Sequence, residues 1–176
     1  MATGVQAEGR ESLIDMKQYK ETQHLLEEVR IPAGQLELEG SLDLPAVCSG
    51  VVVFAHVSGS SRFSPRNRFV AKELSGRRIG TLLLDLLTAE EDLVYRTRFD
   101  INLLSTRLAY VTDWLNARPD LKTASVGLFG ASTGAAAALQ TAAETVDRVR
   151  AVVCRGDCTW SVAQRYSSSA GATRMC

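Results

Sequence analysis

Two hydrophobic periods divide the chain. Between residues 35 and 44 apolar and polar positions alternate, with Leu36, Leu38, Gly40, Leu42 and Leu44 on one face and Gln35, Glu37, Glu39, Ser41 and Asp43 on the other. A period of two is a strand with one buried and one wet face. A shorter piece at 26–31 ends at Pro32, and a turn through Pro32, Ala33 and Gly34 would pair the two as a hairpin. From residue 50 the pattern changes. "GVVVFAH" (50–56), "IGTLLL" (79–84), "SVGLF" (125–129) and "VRAVVC" (149–154) are continuous β-branched and apolar runs. Such runs are expected of strands buried on both faces of a parallel sheet.

Helical patterns fill the gaps. Residues 67–74 read as a short helix stopped at Gly76. Ile101, Leu104, Leu108, Val111 and Leu115 form one apolar stripe, which stops before Pro119. Residues 133–144 form a helix rich in alanine, and 85–100 are an acidic connector. A hairpin followed by repeated βα units predicts an α/β fold: a doubly wound, mostly parallel sheet with helices on both faces and right-handed crossovers. After Arg155 the apolar period stops, and "GDCTWSVAQRYSSSAGATRMC" reads as disordered. The expected organisation is a flexible leader at 1–26, a partial α/β domain at 27–156 and a tail unrelated to it at 157–176.

Composition narrows the class. The 176 residues are 45% hydrophobic and 23% charged with zero formal net charge. That length can bury a real core, and the charge balance argues against nucleic acid or an anionic membrane as partner. No run is long enough to span a bilayer, and the polar N-terminus lacks the apolar centre of a signal peptide. A cytoplasmic location is the default. The cysteines Cys48, Cys154, Cys158 and Cys176 include a C-x3-C pair with no histidine or second pair near it, which argues against zinc. No metal or cofactor is implied.

The candidate chemistry lies in "GLFGASTGAAAAL" (127–139), which contains G-x-S-x-G centred on Ser132. The motif follows a buried strand and opens a helix, as a nucleophile elbow must. Gly130 and Gly134 would allow the sharp turn and the close helix–sheet packing. Ser132 would project at the carboxyl edge of the sheet, where free helix N–H groups favour negative charge. Thr133 would supply one oxyanion N–H. The loop opening at His56, Val57, Ser58 and Gly59 follows another buried strand, and Val57 is the expected second donor. His56 reads as a loop-organising residue. Arg62 and Arg66, in the motif that follows, would bind an anionic substrate group or anchor the loop by ion pairs.

"VVVFAHVSGSSRFSPRNRFVAKEL", "TLLLDLLTAEED" and "VGLFGASTGAAAALQTAAE" together resemble the dienelactone-hydrolase-like branch of the α/β-hydrolases. The resemblance implies a Ser–Asp–His hydrolase of esters, lactones or similar acyl bonds, with Ser132 as nucleophile and Val57 and Thr133 as oxyanion donors. Dienelactone hydrolases carry cysteine at the nucleophile position, so serine points to the broader esterase-like group. In this family the acid and the histidine follow the nucleophile. The only histidines here, His24 and His56, precede it, and Asp157 has no histidine to orient. The family pattern is expected to end at about Gly156, through a frameshift, an assembly error or a genuine truncation. The sheet would then lack its last strands, leave an edge open to a partner or a second copy, and carry an impaired enzyme. A non-catalytic binding or scaffold module on the same fold is the alternative. A Rossmann-type nucleotide binder is discounted, since no G-x-G-x-x-G follows an early strand.

Overall fold

The computed structural model describes residues 24–57, 62–145, 147–155 and 173–175. Two antiparallel strands, β1 (His24–Ala33) and β2 (Leu36–Pro45), form the expected hairpin. The turn is Gly34–Gln35 rather than the expected Pro32–Gly34, since Ala33 pairs with Leu36 and Pro32 with Glu37. Pro32 is tolerated because β1 is an edge strand, where a missing N–H costs little. Strand pairing also begins at His24, inside the stretch expected to be leader.

The parallel part contains β3 (Gly50–His56), β4 (Ile79–Asp85), β5 (Ser125–Ala131), β6 (Val149–Arg155) and β7 (Thr173–Met175). The sheet order is β1-β2-β4-β3-β5-β6-β7. β7 lies in the segment expected to be disordered and pairs in parallel with β6 over three residues. The helices are α1 (Pro65–Ser75), α2 (Ala89–Asp92), α3 (Ile101–Ala117) and α4 (Thr133–Glu144). α1 starts two residues earlier than its apolar pattern, with proline in its first turn, where the missing N–H has no partner to lose.

Side chains leave each parallel strand in alternate directions, so the sheet has two cores. Val51, Val53 and Ala55 of β3 join Leu82, Leu84 and Leu128 beneath Leu104, Leu108, Val111 and Leu115, the predicted stripe of α3. On the opposite face Phe54 packs with Leu83 and Ala71 of α1. The chain is thus doubly wound as expected.

Two packing constraints set the geometry above the strand ends. The first is the approach of α4. A Cβ on Gly134 would collide with the carbonyl oxygen of Ala55, and one on Gly130 with the backbone of Gly134 and Ala135. Both obstacles are main chain and cannot rotate away. The second is an ion pair inside the acidic connector. Arg107, 4% exposed on α3, donates to both carboxylate oxygens of Glu91 at 2.6 Å and to the Leu86 carbonyl at 2.7 Å. Glu91 also closes a capping box with Thr88, accepting from the Thr88 N–H at 3.0 Å. The connector is therefore pinned to α3. The T-x-x-E spacing at Thr88 and Glu91 is a sequence signal for this cap.

Gly134→Ala should cost about 1–3 kcal/mol through overpacking against β3, read as a fall in the denaturant midpoint; an unchanged midpoint would show that α4 is not seated there. Arg107, by hydrogen bonding, holds the Glu91 carboxyl below its usual 4.5. The stability this pair supplies is complete above about pH 4.5 and is lost as the pH falls through the lowered value. Glu91→Gln should lower the midpoint near neutral pH, by less than the ~3–5 kcal/mol of a fully buried pair because Glu91 still meets water. The difference from the parent chain should shrink as the pH falls below 4.5 and through the lowered value. Denaturant melts at several pH values check this.

Candidate active site

The sheet order reverses at β3, which has β4 on one side and β5, later in the chain, on the other. In open α/β sheets the crevice at such a switch point, beyond the carboxyl ends of the strands, is where ligands bind. His56 and Val57 stand at the end of β3 and Ser132 at the end of β5, with Ala55 and Gly130 in register beneath them.

Ser132 has φ 53° and ψ −124°. Apart from Arg78 it is the sole non-glycine residue at positive φ among the described residues. This backbone region is sparsely populated for a residue with a Cβ and persists only where surrounding packing enforces it. Here the enforcing contact is the seating of α4 through Gly130 and Gly134. The Ser132 side chain is exposed and does not cap the helix. Its carbonyl accepts from the N–H groups of Ala135 and Ala136, at 2.9 and 3.3 Å. The N–H of Thr133 thus falls in the first turn of α4, where helix amides have no intrahelical acceptor. Val57 is half-buried at the start of the loop after β3. Ser58 and Gly59 lie outside the described residues.

His56 is 7% exposed. Its Nδ1 lies 3.4 Å from Nδ2 of Asn67, a donor, which favours a proton on Nε2. Among the described residues Nε2 itself is buried without a hydrogen-bond partner. Burial pushes the imidazole pKa down to about 4, against an opposing pull from Asp85 and with a smaller contribution from Arg155. His56 is therefore neutral near pH 7. Its described hydrogen-bonding contact is with Asn67 of α1.

Arg62 is engaged rather than free. Its guanidinium donates to Asp85 at 2.5 Å and to Glu39 at 2.7 Å, and its own N–H donates to the other Asp85 oxygen at 2.9 Å. Of the two roles open in the sequence, loop anchoring fits these contacts. Arg66 is exposed in the first turn of α1. Asp85, which holds Arg62, had as its signal an acid at the carboxyl end of a buried strand, a common place for functional groups in this architecture.

A cavity of about 640 Å³ opens on the β4 side of this edge, walled by Glu37 to Glu39 of β2, by His56, Val57, Arg62 and Asp85, and by Leu86 to Glu90 and Asp92. A second Ser, His and Asp cluster joins the hairpin to α1. Ser75 donates to Asp43 at 2.8 Å, and Asp43 lies 2.9 Å from Nδ1 of His24. Ser75 faces that same nitrogen at 3.2 Å. A catalytic triad needs the acid and the serine on opposite ring nitrogens, so this cluster is a brace. Among the described residues no group of side chains has the spacing of a metal site, and no helix is long and apolar enough to cross a membrane.

No family model matches the chain. It is 54% identical over 130 residues to proteins from two strains of Mycobacterium tuberculosis whose name assigns them provisionally to the phosphoribosyl transferases. The match spans 74% of this chain but only 29% of those relatives. Among solved structures, a dienelactone hydrolase from Anabaena variabilis superposes with a TM-score of 0.71 at 50% identity, over 76% of this chain and 63% of that protein. A lidless α/β serine hydrolase from Xanthomonas campestris shares the fold at 20% identity, with a TM-score of 0.61 over 79% of this chain and 66% of that one. The strand order and the agreement with the Anabaena enzyme give the same answer. The chain has an incomplete α/β-hydrolase fold and is similar over most of its length to a dienelactone hydrolase.

Proposed function

We propose that the chain is the nucleophile-bearing part of a serine hydrolase that acts on an ester, a lactone or a similar acyl bond. The observation that carries this reading is Ser132, exposed at φ 53° on a turn that two sterically obligatory glycines make possible. A serine held in such a conformation at a strand-to-helix junction presents Oγ clear of its own helix. Oγ would attack the acyl carbonyl, and the oxyanion would be received by the N–H groups of Thr133 and Val57. The expulsion of the alkoxide and the later attack of water both require a proton carrier.

That carrier is the weak point of this chain. No histidine follows Ser132 in the sequence. His56 is buried, lies against Asn67 and binds a proton only near pH 4. It is a poor general base for Ser132. An oxyanion hole and binding without a base leave roughly 10³–10⁴-fold over the reaction in water, so turnover by this chain is expected to be slow. The absence of a later histidine also favours a second reading, a binding module that keeps the fold without chemistry. The transferase named for the Mycobacterium relatives is assigned, on this view, to the larger part of those proteins that the chain does not match.

A fluorophosphonate should label the chain slowly and stoichiometrically at Ser132, and Ser132→Ala should abolish the adduct by intact mass. A folded chain that stays unlabelled after prolonged exposure would favour the binding-module reading. In an NMR titration the ring proton of His56 should move with a midpoint of about 4. The stability tied to its neutral form is complete above the ordinary value of 6.5 and falls as the pH drops toward that midpoint. A His56 midpoint near 6.5 would restore it as a candidate base.

A further inference from the structure

The connector between β4 and α3 presents hydrocarbon to water. Within residues 93–99, Leu93 is 84% exposed, Val94 52%, Tyr95 72% and Phe99 51%. Exposed apolar side chains are ordinary when they occur singly. Here they are grouped, and the Tyr95 and Phe99 rings lie 4.8 Å apart. The stretch is fixed in place. Arg98 donates from Nε to the Asp92 carbonyl at 2.6 Å and pairs with its carboxylate at 3.1 Å. The N–H groups of Val94, Thr97 and Phe99 donate to the carbonyls of Glu91, Val94 and Arg96 at 3.0, 3.1 and 3.1 Å. Charges around it are largely matched. Glu91 is held by Arg107 and Asp92 by Arg98, Asp100 accepts from the Leu103 N–H, and the exposed Glu90 and Arg96 have opposite signs. Hydrocarbon, and not charge, is what this surface can recognise.

Helix packing places the patch relative to Ser132. α3 and α4 both start at the carboxyl edge of the sheet and contribute to one core. Gln140 of α4 donates to the Asn102 side chain of α3 at 3.0 Å, and the Thr141 hydroxyl to the Ser105 carbonyl at 3.1 Å. Ser132 precedes Thr141 by nine residues and Phe99 precedes Ser105 by six. At a rise of about 1.5 Å per residue, Ser132 and Phe99 lie about 13 and 9 Å beyond that contact, toward the same edge. Packed helix axes are about 8–10 Å apart. The Phe99 end of the patch is therefore roughly one helix spacing to the side of Ser132.

Size indicates the occupant. A large aromatic side chain presents about 150–250 Å², so four partly exposed side chains offer a few hundred Å². That is the scale of the largest apolar patch on a typical monomer, which is often functional. It falls short of the roughly 800 Å² per partner that a stable dimer buries. A small molecule with a hydrocarbon arm fits it better than a second copy of the chain.

We infer that Leu93, Val94, Tyr95 and Phe99 seat the hydrocarbon arm of the acyl substrate, so that Ser132 prefers esters with a long alkyl chain to those with a short one. The link to an ester rests on the hydrolase reading above; the affinity for hydrocarbon rests on the patch alone. A chain that crosses the ~8–10 Å from Ser132 to Phe99 would lie against the tilted ring pair.

The test compares 4-nitrophenyl octanoate with 4-nitrophenyl acetate on the full chain, reading the second-order rate of nitrophenolate release above that of Ser132→Ala. A methylene fully removed from water is worth about fourfold. A chain on an open surface gains only part of that, so the octanoate should react at least about tenfold faster. In Leu93→Ser/Tyr95→Ser, which alters the two most exposed of the four and should keep the parent's denaturant midpoint, the ratio should fall to within about threefold. The binding arm needs no chemistry: 1-octanol titrated into Ser132→Ala should shift the ring NMR signals of Tyr95 and Phe99. A parent ratio near one, a ratio unchanged in the double variant, rings that octanol leaves unmoved, or a sedimenting dimer dispersed by the double variant would each overturn the inference. Should octanol move the rings while neither ester acylates Ser132, the hydrolase reading fails and the hydrocarbon site stands. Equal acylation by the two esters would keep the hydrolase reading and sink this one.

Discussion

The contact on which the site depends is between two pieces of backbone. α4 can start where it does because Gly134 lies against the Ala55 carbonyl of β3 with no Cβ between them. That approach leaves the chain no room to leave β5 gradually. It must reverse within a few residues, and Ser132 is placed at φ 53°. The strain of a non-glycine residue there is held by the burial of Ala135, Ala137, Ala138 and Leu139 on the same helix. An exposed serine is in this sense a product of the core beneath it.

Two arginines do for the loops what the glycines do for the elbow. Arg107 ties the connector after β4 to α3, and Arg62 ties the loop after β3 to Asp85 and Glu39. Each lies largely out of water, with side chains 5% and 15% exposed. Breaking such a pair strands a desolvated charge, so the pairs resist opening even where their net contribution is small. The walls of the cavity are therefore set by ion pairs, while its floor is set by the sheet.

On the proposed reading Ser132, held at positive φ, would be the nucleophile of a hydrolase, and no histidine follows it in the sequence. The chain spans 63% of the Anabaena dienelactone hydrolase and under a third of the Mycobacterium relatives. Ser132, Thr133 and Val57 stand at or just beyond the ends of β3 and β5.

Much of this was legible in the residues. Alternation at β2, continuous apolar runs at β3 to β6 and the stripe of α3 are direct consequences of which faces are buried, and burial leaves its period in the chain. G-x-S-x-G after a buried strand was legible for the same reason: only glycine fits where backbones touch. The hairpin turn slipped from Pro32 to Gly34–Gln35 because proline is permitted on an edge strand, and whether a strand is an edge is a property of the assembled sheet. The roles of Arg62 and Arg107 were likewise hidden. A guanidinium can receive a substrate or clamp a loop, and the choice turns on carboxylates 16 and 23 residues away along the chain, as with Arg107–Glu91 and Arg62–Asp85. Local pattern records what each residue buries. Charge pairing across distant segments exists only once the chain has folded those segments together.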